Sequence, residues 1–422
     1  MEDQNDWFKQ RHYLHFDRPI GKSKAASIAT SPHAVSEHSF YPFLSYEVIA
    51  RKIFKENGNI QYKDKVRPIA FASHVDSHIY SYYGQLLYSR YEQQIEKLGI
   101  GNSILAFRRL GKSNIDFALD AFNDIQQRGS CTAIAFDISG FFDNLDHEIL
   151  RRLWCSLFEF QRMPDDHFAV FKSITNFSIV DRKTLFAKLG YSINNLPSSL
   201  RRICTPLEFR NKVRNSGLIE KNKKSYGIPQ GSPISAILSN IYMLEFDKFI
   251  FDAIEEQGGS YYRYCDDMLF IVPTEWRNNI ADLVRREIKN LKIDINPKKT
   301  EIRDFSIING RLHSQKPLQY LGFIYDGEQI TIRSAAFAKY SARMRKAVRL
   351  AKKKKIKENR LRIQKGIPPE SLYKKKLFSR YSHLGKQNFV RYGLRAAEKM
   401  NSKAIKRQMK PLWKRLQLEI EK

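Results

Sequence analysis

Three aspartates have the setting that chemistry needs. Asp266 and Asp267 are adjacent within Tyr261-Tyr262-Arg263-Tyr264-Cys265-Asp266-Asp267-Met268-Leu269-Phe270-Ile271-Val272. The aromatic and β-branched residues on either side predict two short strands joined by a tight turn. Successive strand side chains point to opposite faces, so buried neighbouring aspartates are costly unless a cation or donors offset them. A surface hairpin would explain this pair alone. The third aspartate, Asp137, ends the apolar run Thr132-Ala133-Ile134-Ala135-Phe136-Asp137-Ile138, which reads as a buried strand. Carboxylates on two strands are hard ligands for divalent ions, and two such ions roughly 3.5–4 Å apart serve phosphoryl or nucleotidyl transfer.

Other segments must position these groups. Ser139 to Leu145 reads as a turn, with Asp146 as N-cap of a helix from His147. Tyr226-Gly227-Ile228-Pro229-Gln230-Gly231-Ser232-Pro233-Ile234-Ser235 is a Gly/Pro-rich turn opening an apolar helix, Ala236 to Phe251. Glycine there permits close backbone approach to a ligand, and a helix N-terminus favours an anion. Arg108, Arg109 and Lys112 cluster around Gly111 before a helix over 114–128, a set suited to phosphates or to an exposed basic turn. Amphipathic spacing predicts helices over Phe43 to Lys55, Val75 to Lys97 and Trp276 to Leu291. Lys292 to Asn296 reads as an edge strand. Leu318 to Ile324 and Gln329 to Ile332 read as a hairpin around Asp326-Gly327. Residues 151–225 are basic and aromatic without clean periodicity and read as a mobile or nucleic-acid-facing insertion.

Charge separates the function classes. The 422 residues carry 73 Lys and Arg against 44 Asp and Glu, a net charge of +29. From Arg333 to Lys422 there are 29 basic and five acidic residues, so 24 of those charges lie in the last segment. A regional excess of this size predicts a polyanionic partner, with nucleic acid first and an anionic membrane surface second. Lys352, Lys353, Lys354, Lys355, Lys374, Lys375 and Lys376, among Phe378, Tyr381, Phe389, Tyr392 and Trp413, are the candidate nucleic-acid-binding residues. The four cysteines have no metal-ligand spacing and read as reduced thiols. No apolar run is long enough to cross a bilayer and the first residues lack signal-peptide character, so a cytoplasmic location is expected.

The segments around Asp137 to His147, Gly227-Ile228-Pro229-Gln230-Gly231-Ser232-Pro233, Tyr264-Cys265-Asp266-Asp267, Asn296-Pro297-Lys298-Lys299-Thr300-Glu301 and Leu321-Gly322-Phe323 resemble, in order and spacing, the palm motifs of reverse transcriptases. The resemblance covers roughly residues 67–332. It implies an α+β right-hand polymerase: an N-terminal region and fingers over 1–130, a palm with an antiparallel sheet over 131–332 that carries the insertion at 151–225, and a basic helical thumb over 333–422. It also implies that Asp137, Asp266 and Asp267, with the Ile138 carbonyl, hold two Mg²⁺ ions. Phe142 matches the aromatic under the nucleotide sugar that disfavours a 2′-hydroxyl, which argues for dNTP use and a DNA product. Gln230 and Gly231 match the nucleotide pocket, Arg108, Arg109 and Lys112 the triphosphate and template contacts, and Lys299 a basic residue near the pyrophosphate.

The motifs are most similar to bacterial enzymes related to group II intron and retron reverse transcriptases. No RNase H, integrase or endonuclease segment is recognisable, nor the retron-type Val-Thr-Gly element. Tyr13-Leu14-His15-Phe16-Asp17, Val66-Arg67-Pro68-Ile69 and Ser73-His74-Val75-Asp76, with the Cys265 form of the hairpin, resemble the defense-associated reverse transcriptases, class two above all. Those act as a single protein with a structured non-coding RNA template. The resemblance implies antiphage immunity through a cDNA copy of that RNA. A group II intron maturase, a retron-type enzyme, an RNA polymerase and a non-catalytic RNA-binding protein remain the alternatives.

Overall fold

The computed structural model describes residues 7–56 and 59–422; Met1 to Asp6, the first residues that lack signal-peptide character, lie outside them. The chain divides into two compact units. One holds Arg108 and the described residues before it, with Phe136–Met268 and Asn278–Thr300; the other holds Arg109–Ala135, Leu269–Arg277 and Glu301–Lys422.

In the first unit, strands β1 (Phe43–Glu56) and β2 (Asn59–Phe71) pair antiparallel from Leu44↔Phe71 to Glu56↔Asn59. The helix expected over Phe43 to Lys55 is therefore a strand. Its Val, Ile, Phe and Tyr residues favour a pleated surface, and a partner strand satisfies its backbone. Val48, Ile49 and Val66 are exposed, so these apolar residues face no core.

The sequence Tyr13 to Asp17 and the start of helix His74–Lys97 clasp each other. Asp17 accepts from the backbone N–H groups of His74 and Val75 and pairs with the His74 ring at 2.6 Å, while His74 Nε2 reaches the Tyr13 carbonyl at 2.9 Å. A carboxylate at a helix N-terminus satisfies orphan donors and meets the positive end of the dipole. His15 is buried beside this clasp. It accepts from Phe16 N–H at Nδ1 and so donates from Nε2 to the Phe71 carbonyl.

Strand β3 (Cys131–Asp137) follows helix Asn114–Arg128 and is buried along its length, as its composition predicts. The stretch 151–225 is built of elements with a core. It holds helices Asp165–Thr175 and Arg182–Lys188, β4 (Ser178–Asp181) and β5 (Glu220–Lys221), and buries Trp154, Phe171, Val180, Leu185, Phe186, Ile203 and Val213. β4 adds to β1 in parallel, giving a sheet ordered β2-β1-β4-β5.

β6 (Ser260–Tyr264) and β7 (Asp267–Val272) form the expected strands around Cys265 and Asp266. In the second unit β8 (Glu301–Ile308) pairs antiparallel with β9 (Arg311–His313), Ser306 opposite His313. Lys292 to Asn296 is no strand; Ile295 makes one isolated bridge, to Ile138. Within the second unit, β3 pairs antiparallel with β8, Cys131 opposite Phe305. β10 (Leu318–Tyr320), β11 (Phe323–Tyr325) and β12 (Ile330–Ile332) form a separate meander. The apolar helix expected over Ala236 to Phe251 is two, Ser235–Tyr242 and Leu244–Glu255. Beyond Arg333 all described elements are helices, the first running Ser334–Gln364 and ending before Gly366 and Pro368. No helix among the described residues is long and apolar enough to cross a membrane.

Candidate active site

Asp137 ends β3 and is 9% exposed. Its strand end is fixed by backbone bonds on both sides: Ile138 N–H donates to the Asp266 carbonyl at 3.1 Å, and Asn296 N–H donates to the Asp137 carbonyl at 2.7 Å. Asp137 and the Asp266 turn are thereby held next to each other in one unit. Asp266 is half-buried and Asp267 exposed. Both Asp137 carboxylate oxygens accept from the Lys299 ammonium, which stands on a short 3₁₀ turn, Pro297–Lys299, capped by the Asn296 side chain.

Behind the turn lies a network that sequence reasoning missed. Arg263, on β6, is fully buried, and its guanidinium makes a two-pronged contact with Asp247, also fully buried, at 2.7 and 2.5 Å. Its Nη1 donates to Asn240 Oδ1 at 3.1 Å and to the Cys265 carbonyl at 3.2 Å. Asn240 passes the connection on to the Ala106 carbonyl, and Tyr261 donates to Asp247 at 2.7 Å. Burial works against the guanidinium charge, but the Asp247 carboxylate more than offsets it and raises Arg263 above its ordinary range. Cys265 has φ +60°, a left-handed conformation that costs a non-glycine residue roughly 1–3 kcal/mol unless its surroundings impose it. Arg263 holds the carbonyl of that residue, one position before the acidic pair.

Phe142 sits in the 3₁₀ turn Phe141–Asp143, half-buried, its ring 5.8 Å from that of Phe141. The Gly/Pro-rich loop is bound to this turn. Gly227 N–H donates to the Leu145 carbonyl and Ile228 N–H to the Phe142 carbonyl, at 2.8 and 2.9 Å. A side chain at Gly227 would meet the Asp143 carbonyl at 2.9 Å. Gln230 and Gly231 come against β2: Ala70 N–H donates to the Gln230 carbonyl, and a Cβ at Gly231, where φ is +120°, would lie 2.8 Å from the Ala70 carbonyl. The close approach for which this glycine is needed is thus to the protein's own backbone. Next to it, the buried Ser232 hydroxyl has no hydrogen-bond partner among the described residues.

Asp146 caps helix His147–Phe158 as expected, accepting from Glu148 and Ile149 N–H. The basic cluster is less uniform than its sequence. Arg108 is turned to Glu92, at 2.9 and 2.8 Å, and to the carbonyls of Gly101 and Ile104, with its side chain 8% exposed. Arg109 and Lys112 belong to the second unit, where Lys112 pairs with Asp120. Of the candidate nucleic-acid contacts, Lys352 donates to the Glu419 carbonyl and Lys354 pairs with Glu358, while Lys353, Lys374, Lys375 and Lys376 are exposed and Lys355 is half-buried.

Among the described residues no three His, Cys, Asp or Glu side chains gather as a metal cage. The donor chemistry nevertheless fits a hard divalent ion. Acidic oxygens stand at two adjoining strand ends, and an ammonium already compensates the Asp137 charge through both of its oxygens.

The sequence matches the family described as reverse transcriptase (RNA-dependent DNA polymerase) over residues 55–325. No curated protein matches the chain. Among solved structures it is similar to apo telomerase from Candida tropicalis truncated from its C-terminal domain, at 11% identity and a TM-score of 0.42, covering 75% of this chain and 61% of that one. It is also similar to telomerase from Candida albicans in complex with a TWJ fragment of telomeric RNA, at 15% identity and a TM-score of 0.39, covering 78% and 54%. The chain spans between half and two thirds of the length of those telomerases.

Proposed function

The chain belongs to the reverse transcriptase family, and from that premise we propose that it copies a structured non-coding RNA into cDNA in antiphage defence. Its mixed helices and sheets are those of an α+β right-hand polymerase, an RNA-directed DNA polymerase by family. In the proposed division residues 1–130 include the fingers, 131–332 the palm and 333–422 the thumb. The observation that carries the polymerase reading is the junction of Asp137 with the Asp266 turn through the Ile138 to Asp266 backbone bond.

Asp137, Asp266 and Asp267, with the Ile138 carbonyl, are the groups that would hold two Mg²⁺ ions, whose chemistry is to acidify a 3′-hydroxyl and stabilise leaving pyrophosphate. The protein's own groups do the rest. Phe142 stands under the sugar and selects dNTPs; Gln230 and Gly231 bound the base and sugar; Lys299, released from Asp137, meets the phosphates. The N-terminal segments Tyr13 to Asp17 and Ser73 to Asp76, whose sequences resemble defense-associated enzymes, support the defence reading.

The test is RNA-templated dNTP incorporation by the chain with Asp266→Ala and Asp267→Ala together. Loss of incorporation with an unchanged melting temperature is the expected result; surviving incorporation overturns the assignment. Sequencing the RNA and DNA that co-purify before and after phage infection tests the template and defence readings. A co-purified intron would favour a maturase, and DNA joined to an RNA branch a retron-type enzyme.

A further inference from the structure

Two adjoining cavities in the second unit have no part in the reaction proposed above. The first, about 640 Å³, has Val390, Leu394 and Met409 in its walls and the Trp413 indole at its side. Phe378 and His383 pack that indole, each with its ring centroid 5.2 Å away. Lys403, Lys406, Arg407 and Lys410, all four exposed, also line it, and no acidic residue does. The second cavity, about 580 Å³, shares Leu394 with the first and is lined mostly by polar and charged residues, with Lys386, Arg391 and Arg395 against one acid, Glu398.

Helix Phe389–Lys399 explains the division. Val390 and Leu394 are four residues apart on one face, and Arg391, Arg395 and Glu398 follow on the next. A wholly apolar ligand would leave the seven cations unused. A bare polyanion would leave the apolar walls and the indole unused. An unpaired nucleotide uses both, since every base offers a flat π-face to an aromatic side chain and carries phosphates on either side.

We propose that these cavities take one unpaired nucleotide of bound RNA, its base in the apolar cavity beside Trp413 and its flanking phosphates on the two cationic rims. The identity of the strand as RNA rests on the polymerase reading; the pocket chemistry does not. A base held here would anchor a single-stranded segment of a folded RNA.

The experiment uses the full chain and two labelled 12-nucleotide RNAs in fluorescence anisotropy, one ordinary and one with abasic central positions. The ordinary RNA should bind at least about fivefold more tightly, the low end of what stacking of one base contributes. Leu394→Trp, which fills the apolar cavity without changing charge, should abolish that preference. Lys406→Glu with Arg407→Glu should weaken both RNAs alike. Should Leu394→Trp fail to fold, a 2-aminopurine at the central position read on the wild-type chain replaces it, and strong quenching on binding is expected. Equal binding of the two RNAs, a preference that survives in Leu394→Trp, or no quenching overturns the proposal. So does an effect of Leu394→Trp confined to retention on phosphatidylglycerol vesicles, which would assign the cavities to lipid. RNA-templated dNTP incorporation, measured alongside, separates the two readings. Base preference without incorporation sinks the polymerase and keeps the pocket; incorporation without base preference does the reverse.

Discussion

Asp247 and Asp137 each meet a cation, one behind the Asp266 hairpin and one in front of it, and the two pairs do opposite work. Asp247 and Arg263 are both fully buried, and further bonds from Tyr261 and to Asn240 and Cys265 satisfy their remaining groups. Asp137 meets Lys299, whose side chain is 37% exposed and which stands on a turn of three residues. A buried pair cannot exchange its cation without leaving a bare charge in the interior, whereas a half-exposed ammonium can return to water and be replaced. The same chemistry, placed at two depths, gives a fixed frame and an exchangeable site.

The largest effect should come from breaking the rear pair. Asp247→Leu leaves Arg263 uncompensated and should lower unfolding stability by about 3–5 kcal/mol, whereas Asp247→Leu with Arg263→Met should recover most of that in urea denaturation. A double variant no more stable than the single would show that the network does more than neutralise charge. Incorporation by the stabilised double variant should stay low, because the Cys265 carbonyl has lost its donor.

A second buried group sharpens the fixed side of the comparison. Burial lowers His15 from its ordinary range to about 3, against the pull of Asp17. Its folded value lies below its unfolded one, so its contribution is complete above about pH 6.5 and is lost as pH falls toward 3, roughly 2 kcal/mol by pH 5. Melting temperatures from pH 7 to 5 should fall less in His15→Gln than in the wild type. Equal slopes would remove His15 as the source.

In front of the hairpin, Lys299→Met should cost no more than about 1 kcal/mol of stability while slowing incorporation about tenfold. A loss of stability like that of Asp247→Leu would break the comparison, since the front pair would then be part of the frame. The last effect, of the same size as that slowing, is in selectivity. Phe142→Ala should raise rNTP use relative to dNTP by about tenfold, a difference near 1.4 kcal/mol, and unchanged discrimination in competition assays would take Phe142 out of the sugar pocket.

Much of this was legible where the signal is local. The strand ending at Asp137, the Asp266 hairpin, the Asp146 cap and helix His74–Lys97 each follow from periodicity or turn chemistry within a few residues. Phe43 to Lys55 misled because its apolar residues suit either period, and its partner strand, beyond Asn57-Gly58, decided the matter. Lys292 to Asn296 has strand composition, yet a strand also needs a neighbour along its length. Arg108 looked like a phosphate ligand because its basic neighbours are visible and Glu92, on the preceding helix, is not. The Arg263 network was hidden for the same reason, its partners lying 16 and 23 residues away on two helices.

Cys265 carries a consequence for labelling chemistry. Its thiol is buried immediately before the acidic pair, and burial pushes it well above the ordinary thiol range, with Asp266 adding to the rise. Cys131 and Cys204 are also buried, and Cys155 is the half-buried thiol of the four. Alkylation reaches thiolates that solvent can touch, so iodoacetamide acts on Cys155 in the folded chain and on Cys265 only when the hairpin opens. The rate of modification at Cys265, read by mass spectrometry, therefore times the opening of the Asp266 turn, with a reporter already built into the protein.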